Sequence, residues 1–152
     1  MATVHDVAAY VLDKHGPMTA MKMQKLCFFA YGYHRVWSDE QLFPFDFEAW
    51  ANGPVSPALY ADHRGRYNLA KGEIPGDASR LTDDQRESID LVCQELGRYT
   101  AHQLSEMTHQ GSPWIAARQR AGAGPLDRST EPLLDEEVFE YFSALVSSGS
   151  EE

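Results

Sequence analysis

The sequence predicts a mainly α protein: a compact bundle of six or seven helices with one small two- or three-stranded β element. Three observations predict it. Most of the chain divides into capped stretches whose apolar residues recur every three or four positions. One short stretch, residues 45–51, alternates apolar and polar side chains with the period of a strand. Gly- and Pro-rich breaks at 15–17, 68–79 and 121–125 separate these pieces without leaving a linker long enough to divide the chain.

Each element has its own local warrant. Thr3 caps a first helix with Asp6 at its third position, and Val4, Val7, Ala8, Val11 and Leu12 share one face. Thr19 opens a second helix in which Met23, Leu26, Cys27, Ala30, Tyr31, His34 and Trp37 recur at helical spacing, with Phe28, Phe29 and Tyr33 on the flanks. A helix apolar nearly all round belongs at the centre of a fold. Phe45, Phe47 and Ala49 then alternate with Asp46, Glu48 and Trp50, and a strand there needs a partner for its backbone groups. "EPLL" (131–134) is the first candidate partner and the loop around Ile74 the second. Ser56 with Pro57 at the first helical position starts a short helix through Tyr60 to about Tyr67.

Thr82 with Gln85 and Thr100 with Gln103 form capping boxes for two further helices, to about Leu96 and to about Gln110. Ser112-Pro113 starts another, carrying Trp114, Ile115 and Ala117, and a last helix runs from about Asp135 to Val146. The expected core comprises Leu26, Ala30, Phe47, Trp50, Val55, Leu59, Ile89, Val92, Leu96, Leu104 and Trp114. Residues 1–147 are expected to form one domain, followed by a disordered tail at 148–152.

Bulk properties narrow the function. At 152 residues the chain can bury about two-thirds of its unfolded surface. Its net charge of −10 removes the electrostatic term that supplies most nonspecific affinity for nucleic acid, so DNA or RNA is not the expected ligand. No stretch approaches the ~20 apolar residues of a membrane span, and "MATVHDVAAY" lacks the basic and apolar regions of a signal peptide. A cytoplasmic location follows as the expectation. Cys27 and Cys93 both fall in apolar helical patterns, which fits packed, reduced thiols.

Catalytic constellations are sparse. His102, Glu106 and His109 lie at i, i+4 and i+7 on a helix face, but a carboxylate-bridged metal site needs a second such motif, and the sequence has none. No Gly-x-Ser-x-Gly elbow occurs, and "AGAG" runs into Pro125 rather than Lys-Ser/Thr. Asp83-Asp84 and Glu136-Glu137 sit in first helical turns, where the macrodipole accounts for them. A helix–turn–helix over 101–120 would present apolar Pro113-Trp114-Ile115 where base-reading groups belong. The expectation is therefore no enzyme, no cofactor and no metal, with a metal-dependent enzyme using the His102, Glu106 and His109 face as the alternative from another class. Two charges nevertheless interrupt apolar elements: Lys25 in the central helix and Glu48 in the strand. An unpaired buried charge is costly, so a Lys25–Glu48 approach, or a shared polar neighbour such as His109, is expected; the alternative is a lysine that snorkels to solvent.

Four motifs in order carry a resemblance: Gln24-Lys25-Leu26; Phe47-Glu48-Ala49-Trp50; Gly53-Pro54-Val55; and Thr108-His109 with Pro113-Trp114. With them the chain resembles the Panacea domain family of SocA-like and GepA-like proteins over roughly residues 3–146. The resemblance implies a phage-associated antitoxin that neutralises a toxin encoded nearby by direct binding. An adaptor that delivers the toxin to a protease is the alternative. It implies no cofactor and no catalytic residue, and it makes these fourteen motif residues marks of the scaffold. The partner-reading surface is then expected on loops and on the acidic helix faces near 83–96 and 135–146. Regulation of its own transcription by direct DNA binding is not expected, since no additional module is evident.

Overall fold

The computed structural model describes residues 1–109 and 112–149. Among the described residues it contains seven α-helices, one 3-10 turn and two two-stranded antiparallel sheets. In chain order these are α1 (Val4–His15), β1 (Met18–Thr19), α2 (Ala20–Trp37), β2 (Glu48–Trp50), β3 (Gly53–Val55) and α3 (Pro57–His63). After them come β4 (Asn68–Leu69), the 3-10 turn (Ala78–Arg80), α4 (Asp83–Leu96), α5 (Ala101–Glu106), α6 (Pro113–Ala121) and α7 (Asp135–Gly149). The fold is thus mainly α, as the periodicity requires.

Local chemistry sets most of the starts. Thr3, Thr82 and Thr100 each accept from the backbone of the third helical residue, whose side chain bonds back to the cap, so all three capping boxes form. Ser56 and Ser112 cap α3 and α6, both of which open with proline. Helix ends are less faithful to the sequence reading. α3 stops at His63 rather than about Tyr67, and α5 stops at Glu106 rather than near Gln110; Gln110 itself lies outside the described residues. α7 continues to Gly149, past both Val146 and the expected start of the tail at residue 148, while residues 150–152 lie outside the described residues.

α2 is the axis around which the rest packs. It touches α1, α4, α5, α7 and β3, and twelve of its 18 residues are buried, so no side of it faces only water. Phe28 and Phe29, read as flanks, are core residues, whereas Trp37 is 45% exposed. At Gly32 the backbone of α2 meets the Phe142 ring of α7 so closely that a Cβ would lie 2.0 Å from a ring carbon. Phe142 in turn packs against Phe28 and Phe29, both at 5.7 Å between centroids. His34, the polar member of the helical stripe, is fully buried and bonded to Ser88 and Glu40. Cys27 and Cys93 are both free and buried. Burial, reinforced by the neighbouring Cys93, pushes the Cys27 thiol well above its usual range, and burial with Asp90 nearby pushes Cys93 up to about 12.

The β structure departs from the expectation in two ways. "EPLL" does pair with the 47–50 stretch: Ala49 N donates to Glu131 O, Leu133 N donates to Phe47 O, and Glu48 bridges Pro132. On its other edge, however, β2 pairs with Gly53–Val55 as a tight hairpin, with Glu48 opposite Val55 and Trp50 opposite Gly53. Gly53-Pro54-Val55, one of the four motifs, is therefore a strand. The loop around Ile74 is not the partner, although Ile74 is buried. A second sheet joins Met18 to Leu69 and Thr19 to Asn68, and so turns part of the expected surface loop into structure. Of the eleven expected core residues, Trp50 and Leu96 are only partly buried and the other nine are buried. The alternation explains Trp50: Phe47 and Ala49 face the core, which leaves Glu48 and Trp50 on the other face.

Candidate functional site

The motif residues converge on the β2–β3 hairpin, and three of them, Gln24, Lys25 and Trp114, donate to backbone carbonyls in or beside it. Gln24, on α2 and fully buried, accepts from Ser56 N at 2.9 Å and donates to Ser56 O at 3.0 Å, much as a neighbouring strand would. With its amide so oriented, its Nε2 also donates to His63 Nε2 at 3.0 Å, which requires that ring nitrogen to be an unprotonated acceptor. Burial, which lowers the His63 pKa, agrees with a neutral ring. Lys25, one residue on, donates from Nζ to Pro54 O at 3.0 Å. Ser105 of α5 donates to Asn52 O at 2.7 Å, Trp114 Nε1 of α6 to Trp50 O at 2.7 Å, and Arg118 Nη1 of α6 to Ala49 O at 2.9 Å. Five carbonyls from Ala49 to Ser56 are therefore held by side chains from three helices.

Gly53 is required where it stands. Its φ of +122° is unfavourable for side chains, and an added Cβ would lie 3.0 Å from Lys25 Cε and 3.1 Å from Ser105 Oγ. Val55 is fully buried, Leu26 and Ala49 lie in the main core, and Pro54 presents the carbonyl that Lys25 binds. At the helix break, Thr108 donates to Ser105 O at 2.6 Å, and Ser112 donates to Thr108 O while capping α6. Pro113 is buried, and the Trp114 ring carries His109 stacked on it at 4.5 Å between centroids.

Arg118 and Ser105 were missed by sequence reasoning. Arg118 is 4% exposed, lies against the Trp114 ring at 5.1 Å, and donates to Ala49 O, Gly124 O and Asp127 O. It ties the 122–127 loop to the hairpin instead of facing an anion. Its position four residues after Trp114, on the same helix face, was the available signal.

Lys25 and Glu48 do not pair. Glu48 shares the outer face of β2 with Trp50 and accepts from Trp50 Nε1 at 2.9 Å. Lys25 does not snorkel either: it is 1% exposed, and among the described residues its ammonium meets no carboxylate. Burial alone lowers its pKa from 10.5 to about 7. It does share a cavity with His109, whose Nε2 is buried without a protein partner among the described residues. His102 and His109 lie 3.8 and 3.6 Å from Glu106 on an exposed edge, and because α5 ends at Glu106, His109 is off the helix face assigned to it. No group of three or more His, Cys, Asp or Glu side chains that could hold a metal ion occurs among the described residues.

Two neighbouring cavities border the hairpin. One, of about 550 Å³, is lined by Met21, Trp50, Val55, Tyr60, Arg64 and Arg128, among others. The other, of about 340 Å³, shares Met21, Ala51 and Asn52 with it and adds Lys25, Ser105 and His109.

A helical scaffold locked on a Phe-Glu-Ala-Trp hairpin by Gln24, Lys25 and Trp114 defines a class, and comparison with known proteins agrees. A profile of the family described as "Antitoxin SocA-like, Panacea domain" matches residues 23–115, and the chain belongs to that family. One relative is the antitoxin SocA of Caulobacter vibrioides (strain NA1000 / CB15N), 32% identical over 124 residues, which cover 71% of this chain and 66% of that protein. The chain thus matches just under two-thirds of that relative's length. No solved structure matches. Among the described residues no helix is long and apolar enough to cross a membrane.

Proposed function

We propose that this protein is an antitoxin that neutralises a toxin encoded nearby by direct, stoichiometric binding in the cytoplasm, without chemistry of its own. Residues 1–147 act as a single Panacea-like domain in this reading. The similarity to antitoxin SocA carries the proposal. Its physical support is the use made of the motif side chains: Gln24, Lys25 and Trp114 are engaged with hairpin carbonyls, and Gly53 with a turn geometry, so they serve a scaffold that presents surfaces. The net charge of −10 adds a means of steering a basic toxin into encounter. Exposed Asp83, Asp84, Glu87 and Glu95 on α4, with Glu136 and Glu140 on α7, are the first surfaces such a toxin would feel.

The experiment is co-expression of the two neighbouring genes in a growth assay, followed by co-purification and titration. Rescue at one-to-one stoichiometry with an isolable complex is expected. Rescue at far lower ratios would move the reading to delivery of the toxin to a protease, and rescue without any complex would overturn binding altogether.

A further inference from the structure

The cations of this acidic chain are almost all accounted for. Of its 13 lysines and arginines, seven face carboxylates, three bind backbone carbonyls and Arg98 lies on the Tyr99 ring. The side chains of the remaining two, Arg64 and Arg128, are exposed and have no hydrogen-bond, ionic or ring partner among the described residues. They come from distant parts of the sequence, one from the end of α3 and one from the segment before "EPLL". Both line the same cavity of about 550 Å³. Its walls include the half-buried rings of Trp50 and Tyr60 and the buried Val55, with Ser129 and Thr130 at the rim. The adjoining cavity adds Lys25, whose Nζ meets no carboxylate among the described residues, together with Glu106.

We propose that this groove receives an extended segment of the partner protein in which a carboxylate sits beside an apolar side chain. The apolar side chain rests on Trp50 and Tyr60, and the carboxylate sits between Arg64 and Arg128. The inference rests on the antitoxin reading and names the surface that reads the toxin. Charge selects the ligand. A basic segment would face two uncompensated guanidinium groups in the groove. A polyanion such as RNA would meet a surrounding chain of net charge −10. A localised carboxylate flanked by neutral apolar groups avoids both penalties and matches the planar fork that arginine offers. The volume lies within the range of about 300–1,000 Å³ typical of sites that bury a compact group. Long-range steering by the acidic exterior and local reading by the groove are compatible, because one acts on the whole partner and the other on a single segment of it.

The test compares the wild-type protein with the double reversal Arg64→Glu/Arg128→Glu, and with Lys71→Glu/Arg80→Glu, which changes net charge equally away from the groove. Toxin affinity is measured by titration, and folding by thermal unfolding. Tryptophan fluorescence, with Trp50 in the wall, is titrated with a blocked peptide of alternating glutamate and phenylalanine and with its lysine counterpart. We expect the acidic peptide to bind and the basic one not to. The groove reversal should weaken the toxin complex at least ~30-fold, with unchanged melting and little effect from the control pair. An intact wild-type complex that tolerates the groove reversal overturns this inference alone. Absence of any wild-type complex removes the antitoxin reading and the inference with it. Binding of citrate or ATP instead of the peptide, or a homodimer dissolved by the reversal, would also overturn it.

Discussion

Lys25 bears a cost that is visible in its protonation. A fall from 10.5 to about 7 corresponds to roughly 5 kcal/mol of disfavoured charge inside the fold. Between pH 7 and 10.5 the unfolded chain binds a proton that the folded chain does not, so this group makes stability rise with pH across that window. Below pH 7 both states are protonated and the penalty is at its full, constant value. Lys25→Met should therefore stabilise the protein at and below pH 7 by about 1–4 kcal/mol, as apolar replacements of buried charges do. The gain should shrink as pH rises toward 10.5. Paired denaturant unfolding curves from pH 6 to 10.5 check this, and a variant less stable than wild type at pH 6 would contradict it. Trp114 is the opposite case, since it is 5% exposed, stacked on His109 and bonded to Trp50 O. Trp114→Ala should cost about 3–5 kcal/mol. Trp114→Phe, which keeps a ring but leaves Trp50 O without this donor, should cost about 1–3 kcal/mol. An unfolding midpoint for Trp114→Phe equal to that of wild type would refute the role given to the indole N–H.

Among elements, the hairpin and the α2–α7 contact depend on two glycines for different reasons. Gly53 supplies a backbone angle and leaves room for Lys25 and Ser105, while Gly32 lets a phenylalanine ring lie directly on a helix. Gly32→Ala cannot be absorbed without moving Phe142, which Phe28 and Phe29 hold in place. The expected loss is about 1–3 kcal/mol despite the higher helix propensity of alanine. The double variant Gly32→Ala/Phe142→Leu should recover part of it. Additive losses in that cycle, measured by thermal unfolding, would show that the ring contact is not the cause. The hairpin itself is too short to stand alone. Side chains from α2, α5 and α6 hold its carbonyls, so its geometry is a property of the helices around it.

Across the whole molecule, charge is distributed unevenly. Acidic residues dominate the exposed sides of α4 and α7, whereas the two arginine side chains without a partner among the described residues line one cavity. If the proposed toxin is basic, its association rate should fall steeply as salt rises from about 0.01 to 0.15 M, where the screening length shortens from about 30 to 8 Å. Dissociation should change far less, because groove contacts are short-ranged. Stopped-flow mixing at several ionic strengths separates the two. A salt-independent association rate would remove steering from the account.

Helix number, most helix starts and the central place of α2 were legible in the sequence. Capping boxes and apolar periodicity are local, and five caps at Thr3, Ser56, Thr82, Thr100 and Ser112 behave as their neighbours dictate. The four motifs likewise announced the family before any geometry was known. Where helices stop, which edge of β2 is paired twice, and how Met18 finds Leu69 were decided only in three dimensions, because those choices depend on residues far apart in the chain. The fate of Lys25 belongs to the same group. Sequence shows a charge within an apolar helix, but only the packed structure shows that it meets the Pro54 carbonyl rather than Glu48, since the strand's alternation turns Glu48 to the other face. That Arg64 and Arg128 line one cavity is equally tertiary, since the two lie 64 positions apart in the chain.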